Sequence, residues 1–181
     1  MGTVKYRVTI NLLTPFNISS GQEKGGQAQK RTVLYKGKPY IPGSTIKGKI
    51  RWNFYRITEL SHSENNCNCA MCALFGGQGY KPSKVYVDDF LPVDGENSGN
   101  KALAVRYGIA INRYTKTVAD EHLYSQEVAT GGKFSGYITV YFDNETVKYK
   151  RNLEMAIKMV ENVGGGHSKG YGRALVQLEE V

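Results

Sequence analysis

The chain has 181 residues, enough to bury one substantial core and short for two. Its 24 Lys and Arg outnumber 16 Asp and Glu for a formal charge of +8, which favours a polyanionic partner such as nucleic acid. No stretch is apolar for long enough to span a bilayer, and no charged-then-apolar leader opens the chain, so a soluble, cytoplasmic protein is expected.

From Val4 to Leu12 apolar residues alternate with Lys5, Arg7, Thr9 and Asn11, the period of a strand with one buried face. Pro15 ends it. Ser19 to Lys38 mixes Gly, Gln and Lys with little periodicity and reads as a long basic loop, partly disordered without a partner. Pro42-Gly43-Ser44 then opens a helix over 44–58. Ser44 is placed to cap it, and Ile46, Ile50, Phe54 and Ile57 recur at three- and four-residue steps as one buried stripe. Lys47, Lys49 and Arg51 stand on its other faces, with Lys47 and Arg51 four residues apart on one side. The free amides of the first turn and these cations favour phosphate; a solvated basic face is the plainer alternative.

All three cysteines, Cys67, Cys69 and Cys72, lie within six residues, a few positions after His62. An odd count packed so tightly is no disulfide framework. Three thiolates and an imidazole match the donor set of a closed structural zinc site. Such a knuckle would fold only around its metal; a reduced, thiol-rich loop is the alternative. Four protein ligands leave no open position for a substrate, which argues against a catalytic metal.

Val85 to Leu91 and Lys101 to Tyr107 suggest strands separated by the polar turn DGENSGN, and Phe134 to Phe142 alternates clearly. Leu153, Ala156, Ile157 and Val160 mark a second helix, and Arg173 to Leu178 a last strand. The order fits an α+β protein with a ferredoxin-like βαββαβ core and insertions. The common RNA-recognition module shares that fold and binds single strands on its open sheet face. Thirteen tyrosines in a basic chain suit stacking on bases, although most aromatics in any domain belong to its core.

Between the second helix and the last strand stands GGGHSKGYGR, Gly164 to Arg173. A plain helix-to-strand turn needs one glycine, and five exceed that requirement. Backbone amides free of neighbouring Cβ atoms, with Lys169 and Arg173 alongside, can approach a phosphate. A nucleotide, a phosphorylated metabolite and RNA all remain open as ligands.

Four segments in order, TPFNISSGQ (14–22), PYIPGSTIKGKIR (39–51), INRYTKTVADEHLYSQEV (111–128) and GGGHSKGYGR, resemble the repeat-associated mysterious protein (RAMP) superfamily. More narrowly, they are similar to the backbone subunit of type III CRISPR effector complexes. The resemblance covers almost the whole chain and implies a single domain over 1–181. It also implies a zinc-knuckle insertion over 59–82 and a thumb hairpin over 108–132 that enters a guide–target duplex. It further implies guide-RNA binding, capture of complementary target RNA, and stacking with copies of itself or related subunits. The implied RNA contacts are Lys24, Lys30 and Arg31 of the basic loop, and Ser44, Lys47, Lys49 and Arg51 of the helix. Arg113 and Lys116 of the arm and Gly165, Gly166, His167, Lys169 and Arg173 of the glycine loop complete them. The implied metal ligands are His62, Cys67, Cys69 and Cys72.

Cleaving members of this family place an aspartate after a Gly-Gly pair in the loop before the first helix, where a carboxylate can position a metal. Here the loop reads EKGGQAQKR. No aspartate lies between Gly21 and Lys38, Glu23 precedes the glycines, and Ala28 and Gln29 fill the corresponding place. A non-cleaving RNA-binding subunit is therefore expected. The alternatives are a metal-dependent target-RNA endoribonuclease using Glu23 or another carboxylate, a guide-processing enzyme using His167, and a free-standing zinc-dependent RNA-binding module.

Overall fold

Alternation along the first strand sets the layout. In β1 (Gly2–Leu12) Tyr6, Val8, Ile10 and Leu12 are buried, and the residues between them face the other way. The computed structural model describes residues 2–19, 30–58, 62, 67–78, 81–93, 103–111 and 113–181. β1 lies between β8 (Gly132–Phe142) and β9 (Ala174–Glu180), antiparallel to both, with Tyr6 opposite Ile138 and Val8 opposite Leu178. β4 (Val85–Val87) pairs with β8, as does β5 (Leu91–Pro92), so the sheet runs β4-β8-β1-β9.

One face of this sheet is covered by α1 (Gly43–Thr58) and α3 (Lys150–Lys158). Ile46, Ile50 and Phe54 from α1 meet Leu153, Ala156 and Ile157 from α3 in one buried cluster. Each of the larger side chains, Ala156 aside, contributes about 1.5–3 kcal/mol on leaving water. The buried Asn53 amide donates to the Ala156 carbonyl at 3.1 Å, fixing the two helices in register. Short α2 (Ala70–Phe75) sets Phe75 against Phe54, ring centroids 5.7 Å apart. Tyr6 donates to the Glu154 carboxylate at 2.9 Å, and burial with that bond holds its phenol protonated far above the ordinary range. Among the described residues no helix is long and apolar enough to cross a membrane.

The protein is thus a mixed α/β molecule with antiparallel sheets, and its elements depart from the sequence reading at four places. The strand expected over 85–91 breaks after Val87. Phe90, fully buried, instead pairs with Ile41 and lies over Gly136, where an added Cβ would stand 3.0 Å from its ring. The expected strand over 101–107 becomes part of β6 (Leu103–Ile111), which pairs only with β7 (Val118–Ala129) in a separate two-stranded hairpin. The hairpin strands span Leu103 to Ala129, and Gly132 belongs to β8. The polar segment 94–100 lies outside the described residues.

Within the loop expected over 19–38, Thr32 is buried and β2 (Leu34–Tyr35) turns back on β3 (Lys38–Pro39); residues 20–29 lie outside the described residues. Finally, α1 starts at Gly43, and its cap is not Ser44. The Gly43 amide donates to the Asp89 carboxylate at 2.8 Å. The break after Val87 delivers that acid to the positive end of the helix.

Candidate nucleic-acid interface and metal centre

The glycine-rich segment is stapled to the loop that follows β1. Gly165 N donates to Asn17 O at 2.9 Å, Gly172 N to Pro15 O at 2.8 Å, and Arg173 N to Thr14 Oγ1 at 2.9 Å. Gly164, Gly166, Gly170 and Gly172 all have positive φ. A Cβ on Gly164 would stand 2.2 Å from Asn17 O, and one on Gly172 1.9 Å from Val163 O. The surplus of glycine therefore has a structural cause: the backbone turns through left-handed conformations and touches its neighbours.

Asn17 is also the centre of a buried polar network. Its Nδ2 donates to Thr32 Oγ1 at 3.1 Å and to Glu127 O at 2.5 Å. The Thr32 hydroxyl donates to Glu127 O at 3.0 Å, and the Thr32 amide to Glu127 Oε1 at 3.1 Å. Three of the four segments singled out in the sequence thus meet here, at the base of the β6–β7 arm. Lys30 joins the same place through its backbone, which accepts from Glu127 N at 2.8 Å.

Side chains carry the loop outward in two directions. Towards the arm, Lys169 Nζ lies 3.0 Å from the Tyr124 hydroxyl and 4.9 Å from its ring centroid, while Arg106 stands 5.5 Å from the Tyr171 ring. Tyr124 lies over Gly108, its partner across the hairpin, which leaves room for no Cβ. Towards α1, Lys49 Nζ donates to Asn162 Oδ1, and His167 shares a cleft with Lys49, Trp52 and Arg56. The loop therefore bridges α1 and the base of the arm.

Helix α1 carries Lys47, Lys49, Arg51 and Arg56 and no acidic residue. Burial pulls Lys47 and Lys49 below the ordinary lysine value, and for Lys47 the Arg51 charge adds to it. Lys47 Nζ donates to Ser83 Oγ at 2.9 Å. Lys47 and Lys49 are each partly desolvated against a neutral partner, Ser83 and Asn162, an arrangement that an arriving anion relieves.

The sequence-derived candidates distribute unevenly. Lys49, His167 and Lys169 gather around the seam between α1, the loop and the arm, whereas Lys47, bonded to Ser83, and Arg51, in the cleft with His62, lie on the other flank of α1. Ser44, Gly165, Gly166 and Arg173 are exposed, Arg31 is half-buried and Lys30 exposed. Arg113 and Lys116 occupy the turn at the tip of the arm, away from the loop. Lys24, Glu23, Ala28 and Gln29 lie outside the described residues. Sequence reading passed over Trp52, Arg56, Arg106, Tyr124 and Tyr171. The available signal was Trp52 itself, an aromatic off the Ile46–Ile50–Phe54 stripe.

The cysteine cluster converges. Ligand atoms of His62, Cys67, Cys69 and Cys72 all lie within 4.8 Å of one another. His62 Nδ1 stands 3.6 Å from Cys69 Sγ and 3.5 Å from Cys72 Sγ. A tetrahedral ion with ordinary Zn–N and Zn–S bonds holds N and S about 3.6 Å apart, so the donor set fits a metal ion. Burial, then the neighbouring cysteines, pushes the Cys72 thiol up to about 11; a bound cation reverses that preference and takes the thiolate. The Cys69 amide points at Cys67 Sγ at 3.4 Å, a donor that steadies a ligand sulfur.

The family model described as RAMP superfamily matches residues 9–176. The chain is similar to the protein named CRISPR system Cms endoribonuclease Csm3 of Enterococcus italicus, at 27% identity over 95% of this chain and 88% of that relative. It is also similar to the Csm3 of Methanocaldococcus jannaschii, at 26% identity over 76% of this chain and 62% of that relative. The matched span runs from β1 into β9 and takes in the helix α1, the arm and the glycine loop, so the chain belongs to the RAMP superfamily.

Proposed function

We propose that this protein is an RNA-binding backbone subunit of a type III CRISPR ribonucleoprotein that holds guide RNA and helps to capture complementary target RNA. The observation that carries the reading is the acid-free basic helix α1 joined through the glycine loop to the base of the arm. A strand of phosphates laid along this seam meets Lys49 and Lys169, and Lys47 and Arg51 extend the basic surface on the other flank of α1. The strand order β4-β8-β1-β9, with a helix after β1 and another after β8, supports a ferredoxin-like core. The β6–β7 hairpin takes the part of the thumb, and residues 59–82 that of a zinc knuckle. Zinc is the ion best matched to three thiolates and an imidazole. Neighbouring subunits of the same family complete the assembly.

Because guide is held through its backbone, the protein should bind unrelated single-stranded RNAs alike. Lys47→Ala, Arg51→Ala and Lys169→Ala should each weaken binding and reduce the salt slope by about one. Strong sequence preference in the isolated subunit, or RNA binding untouched by all three changes, overturns the reading.

This subunit binds target without cutting it, since no aspartate lies between Gly21 and Lys38. Both relatives are named as endoribonucleases, which supports a second reading, an endoribonuclease. Incubating the assembled complex with labelled complementary RNA and magnesium separates the two. Intact target supports the first; regular cleavage lost in Glu23→Ala supports the second.

A further inference from the structure

Trp52 is the chain's single tryptophan, and it stands 59% exposed in the middle of α1. An indole of that size normally buries most of its surface, and this one separates two clefts. On one side are Lys49, Arg56, His167 and the single acid Glu161; on the other are Gly48, Arg51, Tyr55 and His62. Tyr55 follows on the same helix face, its ring centroid 6.0 Å away and tilted by 32°.

Gly48 has no structural reason to be glycine. It lies inside a helix, does not have positive φ, and a Cβ there would meet nothing within 4 Å. A mid-helix glycine costs stability relative to alanine. What it leaves is open floor beside the indole.

We infer that Trp52 and Tyr55 form a stacking platform for an unpaired base of single-stranded RNA, with Gly48 admitting the nucleotide and Arg51 and Arg56 on its flanking phosphates. This rests on the RNA-binding reading above. Charge selects the occupant: among the residues lining the two clefts Lys49, Arg51 and Arg56 are cationic and Glu161 alone is acidic, so a protein surface without matching carboxylates would bury cations unpaired. A nucleotide supplies both a flat π face and the anions. Basic side chains interleaved with aromatics are how single strands are held independently of sequence.

Tryptophan-selective excitation makes Trp52 the reporter. Wild-type protein is titrated with a labelled single-stranded oligoribonucleotide and with an abasic oligomer of equal length, reading label anisotropy and Trp52 emission together. Both ligands should raise anisotropy, and only the base-bearing one should quench the indole. Trp52→Ala should weaken RNA binding roughly 5- to 100-fold without lowering the melting temperature, and Trp52→Phe should restore part of it. Gly48→Leu, filling the floor, should keep the fold and abolish the quench.

Binding with no quench, or equal quenching by the abasic oligomer, overturns the platform while leaving RNA binding standing. No anisotropy change with either ligand overturns both. If Trp52→Ala instead abolishes self-association in sedimentation and leaves RNA affinity unchanged, the face is a protein interface and the inference fails.

Discussion

Asn17 joins three chain segments through one buried amide, and its removal has a calculable cost. Asn17→Ala deletes two donated bonds, to Thr32 Oγ1 and Glu127 O, in a place where Asn17 and Thr32 are 7% and 4% exposed. Glu127 O keeps its bond from the Thr32 hydroxyl, so it is not stripped bare. Two bonds at about 1 kcal/mol each, with a small cavity, give about 2–3 kcal/mol. That corresponds to a drop of about 5–10 °C in melting temperature for a chain of this size. Thr32→Val removes the hydroxyl that serves both neighbours. Because the two changes break one shared bond, the double variant should lose less than the sum, by about 0.5–1.5 kcal/mol. Urea titration of the four proteins measures it. Additivity within about 0.3 kcal/mol would show that the segments are held separately, and the argument for a single hub under the loop would fall.

The metal centre gives a second test. Elemental analysis should find close to one zinc per chain, and Cys69→Ser should lower both metal content and stability. Since His62 also lines the cleft beside Trp52, chelation should shift the Trp52 emission; unchanged emission on complete metal removal refutes that link. A third test is acid stability. Lys84 and the Thr146 hydroxyl and amide hold the Asp143 carboxyl well below the usual carboxylate range. A depressed folded value means stabilisation that is present above the ordinary value of about 4 and lost as pH falls towards the folded one. Asp143→Asn should therefore separate from wild type in urea at neutral pH and converge with it in acid; a constant gap refutes the assignment.

Periodicity made the core legible, because β1, β8, α1 and α3 each bury one face and their apolar residues recur at the spacing of their own backbone. The cluster of His62, Cys67, Cys69 and Cys72, which could hold a metal ion, was legible for a different reason: thiols and imidazole crowded into eleven positions have few other uses. What the sequence concealed were contacts between distant segments. Nothing near Ser44 announces that Asp89 caps α1 in its place, since that pairing depends on a strand breaking after Val87 to bury Phe90. Nor does the local sequence show that β6 leaves the main sheet for β7. Its apolar alternation suits either partner, and tertiary pairing decides. Trp52 was visible as a residue but not as an exposed one, because aromatics are read as core until a face is assigned.

The glycine loop brings these points to a test in which fold and function separate. Four of its five glycines, all but Gly165, are explained by the backbone, so the side chains among them are the first place to look for the chemistry. Gly164→Ala places a Cβ 2.2 Å from Asn17 O at φ +82°. The left-handed conformation alone costs about 1–2 kcal/mol, and the collision adds to it, because Asn17 is held by its own hydrogen bonds. This variant should be clearly less stable, and whatever RNA binding it loses should follow its unfolding. Lys169 is exposed, with its Nζ on the Tyr124 hydroxyl and ring. Lys169→Ala should leave the urea midpoint within about 0.5 kcal/mol of wild type and still weaken RNA binding with a shallower salt dependence. If the pattern reverses, with Gly164→Ala folding normally and losing RNA while Lys169→Ala binds fully, then the amides of the loop hold the phosphates. The basic side chains would then have been credited with work the backbone does.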